Sequence, residues 1–192
     1  MLTQLDTLKA RLGITDVTDD SLLTNFIKSA SARFANECRR AFARAEAGAT
    51  EFSADETEIR VVVYPIEIVI GFDLKTDERR SWRPVQPEPD YVIRHDCVVS
   101  LLTPIGSHRQ QGRVLTTGGY VLPGTAVLEG QRALPDDLEQ ACVEQCAYWY
   151  QNRNRLGLVS VSGEGAALQQ FAQLDLLPNV RATLKNYERW AL

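Results

Sequence analysis

Cysteine, histidine and methionine are scarce in this sequence: its 192 residues hold 4 Cys, 2 His and 1 Met. Cys38, Cys97, Cys142 and Cys146 are too few and too irregularly spaced for a disulfide scaffold. A zinc site needs further close ligands, commonly a second short Cys/His pair, and His95 and His108 stand in other segments. His95 and Cys97 fall on one face of a strand, an arrangement that ordinary packing also produces. Cys142 and Cys146 stand four apart and so share a helical face. They read as small buried apolar residues, and their spacing is not the C-x-x-C of a redox motif. Neither a metal nor a cofactor is expected.

Long apolar runs and an excess of positive charge are also missing. No segment approaches the roughly 20 apolar residues that span a bilayer. The N-terminal "MLTQLDTLKARLG" reads as neither a signal nor an anchor, so no membrane partner is expected and synthesis in the cytoplasm is. The net charge of -4 and pI near 5.3 provide no global basic field to hold nucleic acid. Signatures of catalysis are absent too. "GEG" at Gly163 to Gly165 lacks the Lys and Ser/Thr of a phosphate-binding loop, and "SVSGEG" is not a nucleophile elbow. Neither histidine stands near a Ser or Cys in a triad pattern. Asp136, Asp137 and Glu139 could pair for acid–base work, but the dipole of a helix beginning there explains them. The chain is not expected to be an enzyme and offers no catalytic residue.

What is present suits a folded core: 44% hydrophobic and 24% charged residues. Leu2, Leu5, Leu8 and Leu12 recur at helical spacing, with Gly13 as the stop. Thr18 is the expected N-cap of a long helix running to about Phe42, striped by Leu22, Leu23, Phe26, Ile27, Ala30 and Phe34. Asp19 and Asp20 suit its start, and Arg39, Arg40 and Arg44 its end. From about Gly48 the period changes. "TEIRVVVYPIEIVIGFDL", broken by Pro65, predicts two short strands, and "DYVIRHDCVVSLL" and "GRVLTTGGYVL" predict more. "KTDERRSWRPVQPEPD" between them reads as an exposed loop. A second main helix starts at Pro135, with Leu138, Ala141, Cys142, Gln145 and Trp149 on one face and Gly157 ending it. Pro178 opens a last short helix with Val180, Leu184 and Tyr187 on one side. The fold class is therefore α+β. A helical core carries a β-rich insertion between its two main helices: residues 1–49 are N-terminal helices, 50–128 the insertion, 129–157 the core helix, and 158–192 a mobile loop and docking segment.

Aromatic and basic residues collect at the end of the second main helix: Tyr148, Trp149, Tyr150, Asn152, Arg153 and Arg155. Three consecutive aromatics span roughly 200 degrees of a helix, so one face cannot bury them all. Tyr, Trp and Arg are also the residues that anchor interfaces. Either the domain's own loops cover them or another subunit does. The C-terminal "NYERWAL" adds Tyr187, Arg189 and Trp190.

Four features in order carry a resemblance: "LLTNFIKSASARFANECRR", an insert closing on "TTGGYV", then "LPDDLEQACVEQCAYWYQNR", and "LLPNVRATLKNYERW". Together they resemble the head–tail connector (adaptor, or head-completion) proteins of tailed bacteriophages and gene transfer agents. Pro135, Leu138, Ala141, Trp149, Tyr150, Asn152 and Arg153 fit that family's proline-started helix and its "WY-x-N-R" ending. The β-rich section is longer than in the family's smallest members. The resemblance implies a structural ring in the virion neck, of twelve copies, docked under the portal and meeting a stopper or tail-completion protein below. Double-stranded DNA would pass through its lumen without sequence-specific binding. Subunit or portal contacts are expected from Trp149, Tyr150, Asn152, Arg153, Lys185, Tyr187, Arg189 and Trp190. The alternative reading is a DNA-packaging accessory or nucleic-acid-binding protein. Removing everything after Pro178 is expected to leave a folded chain that no longer binds the portal.

Overall fold

A computed structural model describes residues 1–77, 79–154, 160–161, 169–170 and 175–189. The chain is α+β and forms two compact units. One comprises Met1–Cys38 with the described residues of Pro135–Glu188, the other the described residues of Arg39–Leu134 with Arg189.

The first unit is built on helices α1 (Leu5–Leu12), α2 (Asp20–Glu37), α3 (Asp136–Gln151) and α4 (Pro178–Lys185). Helix α1 turns Leu8 inward and stops at Gly13, whose φ of 68° is the left-handed conformation that glycine adopts without a Cβ penalty. Helix α2 buries Leu23, Ile27, Ala30 and Phe34, spaced four, three and four apart. Full burial of each large side chain is worth about 1.5–3 kcal/mol. Its cap position is Asp19 rather than Thr18, and Asp16 Oδ1 instead accepts the Thr18 backbone N–H at 3.0 Å. Lys9 Nζ reaches Asp20 Oδ1 at 2.6 Å, tying α1 to the start of α2.

Helix α2 ends at Glu37, short of Phe42, because Arg39 takes a φ of 52° that no helix accommodates. Arg39, Arg40 and Arg44 therefore do not furnish its basic end. Arg40 is instead buried with its guanidinium 3.3 Å from the centre of the Tyr64 ring, and Arg44 pairs with Glu67 at 2.9 Å. Helix α3 buries the face expected of it, Leu138, Ala141, Cys142, Gln145 and Trp149, and adds Val143, Cys146 and Ala147. Pro135 occupies its cap position rather than its first turn, and the helix ends at Gln151, before Gly157, which lies outside the described residues.

Among its described residues the second unit holds nine strands: β1 (Ala45–Ser53), β2 (Glu58–Arg60), β3 (Ile66–Lys75), β4 (Arg83–Pro84), β5 (Tyr91–Arg94), β6 (Val98–Leu101), β7 (Gln111–Gly118), β8 (Tyr120–Val121) and β9 (Arg132–Ala133). Strands β10 (Ser160–Val161) and β11 (Gln169–Gln170) pair outside it. One antiparallel sheet has the order β1-β7-β3-β4, and a second has β2-β6-β5. Phe52, Val69, Phe72 and Val114 of the first pack with Ile59, Val99 and Leu101 of the second in one core. The two sheets thus form a sandwich, each with one inner and one outer face.

Strand β1 begins inside the stretch read as helical. The exposed loop carries β4, which pairs Asp73 and Leu74 of β3 with Pro84 and Arg83. The β5–β6 turn places His95 and Asp96 at φ 51° and 57°, both left-handed, as a tight hairpin requires. His95 and Cys97 are turn residues, not neighbours on a strand face.

Candidate interface surface

The end of α3 uses most of its aromatic and basic residues within its own unit. Trp149 is only 6% exposed, and its ring lies 6.1 Å from that of Phe26 in α2. Tyr150 donates its hydroxyl to Asp19 at the start of α2, and this hydrogen bond to a carboxylate raises the phenol's pKa. Asn152 Nδ2 donates to the Tyr148 carbonyl at 2.9 Å, and Arg153 Nη1 to the Tyr150 carbonyl at 3.0 Å. The Arg153 guanidinium also lies 4.2 Å from the centre of the Tyr150 ring. The last carbonyls of a helix have no partner in the helix, so Asn152 and Arg153 close α3. The "WY-x-N-R" ending is a helix stop with its arginine left at the surface.

Polar clasps fix the segment leading into α4. Gln145 is wholly buried; its Oε1 accepts the Leu177 N–H at 2.9 Å, and its Nε2 donates to the Asp175 carbonyl at 3.4 Å. The Asp175 carboxylate accepts the Leu176 N–H at 2.8 Å, pairs with Arg33 at 2.6 Å and bonds Arg181. The backbone N–H first, then the two guanidiniums, hold its pKa below the ordinary carboxylate value. Asn179 donates to Glu144 at 2.6 Å, and Tyr187 to Asp137 at 2.6 Å. A groove of about 1030 Å³ runs along this segment, with Tyr148, Asn152, Leu177, Arg181, Lys185 and Glu188 among its walls.

Of the expected contact residues, the structure brings Asn152 and Lys185 to this one groove. Arg153 and Lys185 are exposed, Tyr150 and Tyr187 half-buried, and Trp149 is covered by its own unit. Arg189 belongs to the second unit, where it donates to the Arg60 carbonyl, and Trp190 lies outside the described residues. The sequence reading passed over Gln145 and Asp175 as contact-forming groups. A glutamine on an otherwise apolar helix face was the available signal. The buried thiols of Cys142 and Cys146 hydrogen-bond each other; this bond and then burial push the Cys146 pKa far above the ordinary thiol value. Among the described residues, no three His, Cys, Asp or Glu side chains converge to hold a metal ion.

Residues 2–70 match a family model described as "Phage gp6-like head-tail connector protein". The chain resembles a head–tail connector. The head–tail connector family is one of structural proteins, not enzymes, as expected of this chain from its sequence. Two solved structures share the fold along the whole chain. A chain in "Neck of empty GTA particle computed with C6 symmetry" gives a TM-score of 0.63 at 14% identity, covering 100% of this chain and 91% of that one. A chain in "Virion of native gene transfer agent (GTA) particle" gives 0.58 at 16% identity, with coverage of 100% and 91%. No curated protein matches the sequence.

Proposed function

We propose that this chain is a structural connector of a virion neck, repeated as a ring between the portal and a stopper or tail-completion protein. The observation that carries this reading is the coincidence of a connector family match at residues 2–70 with the fold of a particle-neck chain over all 192 residues. The ring holds twelve copies on the family's pattern, and its lumen passes double-stranded DNA. The acidic balance suits a conduit, since each Lys or Arg added to the wall would strengthen its hold on phosphates. The helical unit is the core of each copy and the β-rich segment an insertion into it. Its exposed Arg153 and Lys185, with Tyr187, face the portal.

Electron microscopy of particles carrying a labelled chain should place the label in the neck; a neck without it ends the proposal. Portal docking needs point substitutions rather than truncation. Removing the residues after Pro178 would strip Val180 and Leu184 from the core, where they are 0% and 2% exposed. The truncated chain should therefore lose stability rather than stay folded, which a thermal melt would read. Lys185→Glu with Arg153→Glu should leave the chain folded, with a modestly lower unfolding midpoint because Arg153 helps close α3, and should weaken capture on purified portal well beyond Arg153→Gln alone. Unchanged capture would remove this face from the portal contact.

A further inference from the structure

The outer face of the four-stranded sheet carries an exposed apolar patch beside the Asp73–Arg113 ion pair. Register places Ala49 of β1 opposite Leu115 of β7, Leu115 opposite Gly71 of β3, and Ile68 opposite Thr117. Val114, Val69 and Phe52 point into the core, so Leu115, Ile68 and Ala49 point out. Ile68 is 57% exposed and Ile70 50%. A Cβ built on Gly71 would meet nothing within 4 Å, so open space lies above this row. One rung further, Arg113 carries the Trp82 ring with its guanidinium 4.6 Å from the ring centre. One isoleucine pair beside a Trp–Arg stack is the composition of an interface core rather than of a solvated sheet.

The opposite side of the same sandwich has its own uncovered apolar residue. Tyr91 packs on the core and alternates with Val92, which therefore stands on the outer face of the three-stranded sheet, 61% exposed on edge strand β5. The ion pair of Arg94 with Glu58, at 2.9 Å, borders Val92, while exposed acids Glu46 and Glu51 border the isoleucine face.

From this pairing we infer that copies of the chain meet through the β-rich unit, the Ile68–Ile70 face of one seated against the Val92 face of the next. The inference rests on the ring reading above and names its subunit contact. An exposed isoleucine pair on one side of the sandwich and an exposed valine on the other describe a head-to-tail contact, which closes a ring and leaves neither uncovered. A single partner on one side would leave the other face wet. Charge selects the same unit. Residues 1–38 and 135–188 hold 12 acidic and 8 basic residues, whereas 39–134 and 189–192 hold 13 of each. Copies meeting through the neutral unit avoid the repulsion that the acidic one would impose.

The test uses particles purified from producing cells, with the chain carrying Ile68→Cys and Val92→Cys together or singly, and a short bis-maleimide cross-linker. The doubly substituted chain should give a ladder of covalent multimers, and each single variant only the wild-type background. Should the double variant stay out of particles, the two single variants incorporated together decide, by giving a cross-linked dimer or not. In a second arm, Ile68→Asp with Ile70→Asp should keep the wild-type unfolding midpoint yet fall in particle incorporation by about ten-fold or more. Val127→Asp with Leu128→Asp, exposed elsewhere on this unit, should incorporate normally. A chain present in particles without a ladder or dimer overturns the contact, even if the aspartate variant is excluded, because another partner then covers that face. Absence of the wild-type chain from particles defeats the connector reading itself, and this one with it.

Discussion

Gln145 acts at the smallest scale. Its buried amide oxygen accepts the Leu177 N–H at 2.9 Å inside the helical unit. Gln145→Leu should cost about 1–3 kcal/mol, the penalty for a buried donor left unpaired. Chemical denaturation measures it, and faster hydrogen exchange at Leu177 locates it. Asp175 gives a prediction with a pH sign. Its folded pKa lies below the unfolded value of about 3.9, so its contribution is complete above that pH and is lost as pH falls through the folded value. Asp175→Asn should therefore lower the denaturation midpoint at pH 7, and the gap to wild type should close in acid below about pH 3.9. A gap of constant size would assign the effect to shape rather than charge. Cys146, held as a thiol by Cys142 and by burial, should resist alkylation in the native chain at pH 8 and react after unfolding, read by mass spectrometry.

Between elements, glycine positions separate two kinds of constraint. At Gly13 a Cβ meets nothing within 4 Å, so Gly13→Ala pays only for its φ of 68°, about 1–2 kcal/mol. At Gly118 a Cβ would lie 2.3 Å from the Pro65 carbonyl oxygen and 3.1 Å from Ile66 Cα, where β7 passes β3. Gly118→Ala should destabilise more than Gly13→Ala, while Gly71→Ala, facing open space, should be the mildest; thermal melts rank the three. The same elements show what a sequence conceals. Helices α1, α3 and α4 were legible because a leucine period, two prolines and a glycine mark them. The end of α2 was not, because Ala41 and Phe42 continue its apolar spacing and only the backbone of Arg39 breaks it. Strand β1, "AEAGATEFS", is rich in alanine and glutamate and owes its conformation to pairing with β7. The "WY-x-N-R" ending was visible, but its asparagine and arginine could not be read as a helix stop without the carbonyls they meet.

For the molecule as a whole, the uneven placement of charge matters more than its total. An acidic helical unit and a β-rich one of balanced charge supply no net positive field, so the isolated chain should show no salt-dependent retention of double-stranded DNA in a mobility-shift assay. Retention that weakens steeply with salt would favour the nucleic-acid accessory reading over the connector.

The indole of Trp149, sealed beside Phe26 with no hydrogen-bond partner for its Nε1 among the described residues, has an optical consequence. A dry indole emits at shorter wavelength than the half-exposed one of Trp82 stacked on Arg113. Each unit thus carries its own intrinsic fluorophore, and a red shift of the bluer component would time the opening of the helical unit without any added label.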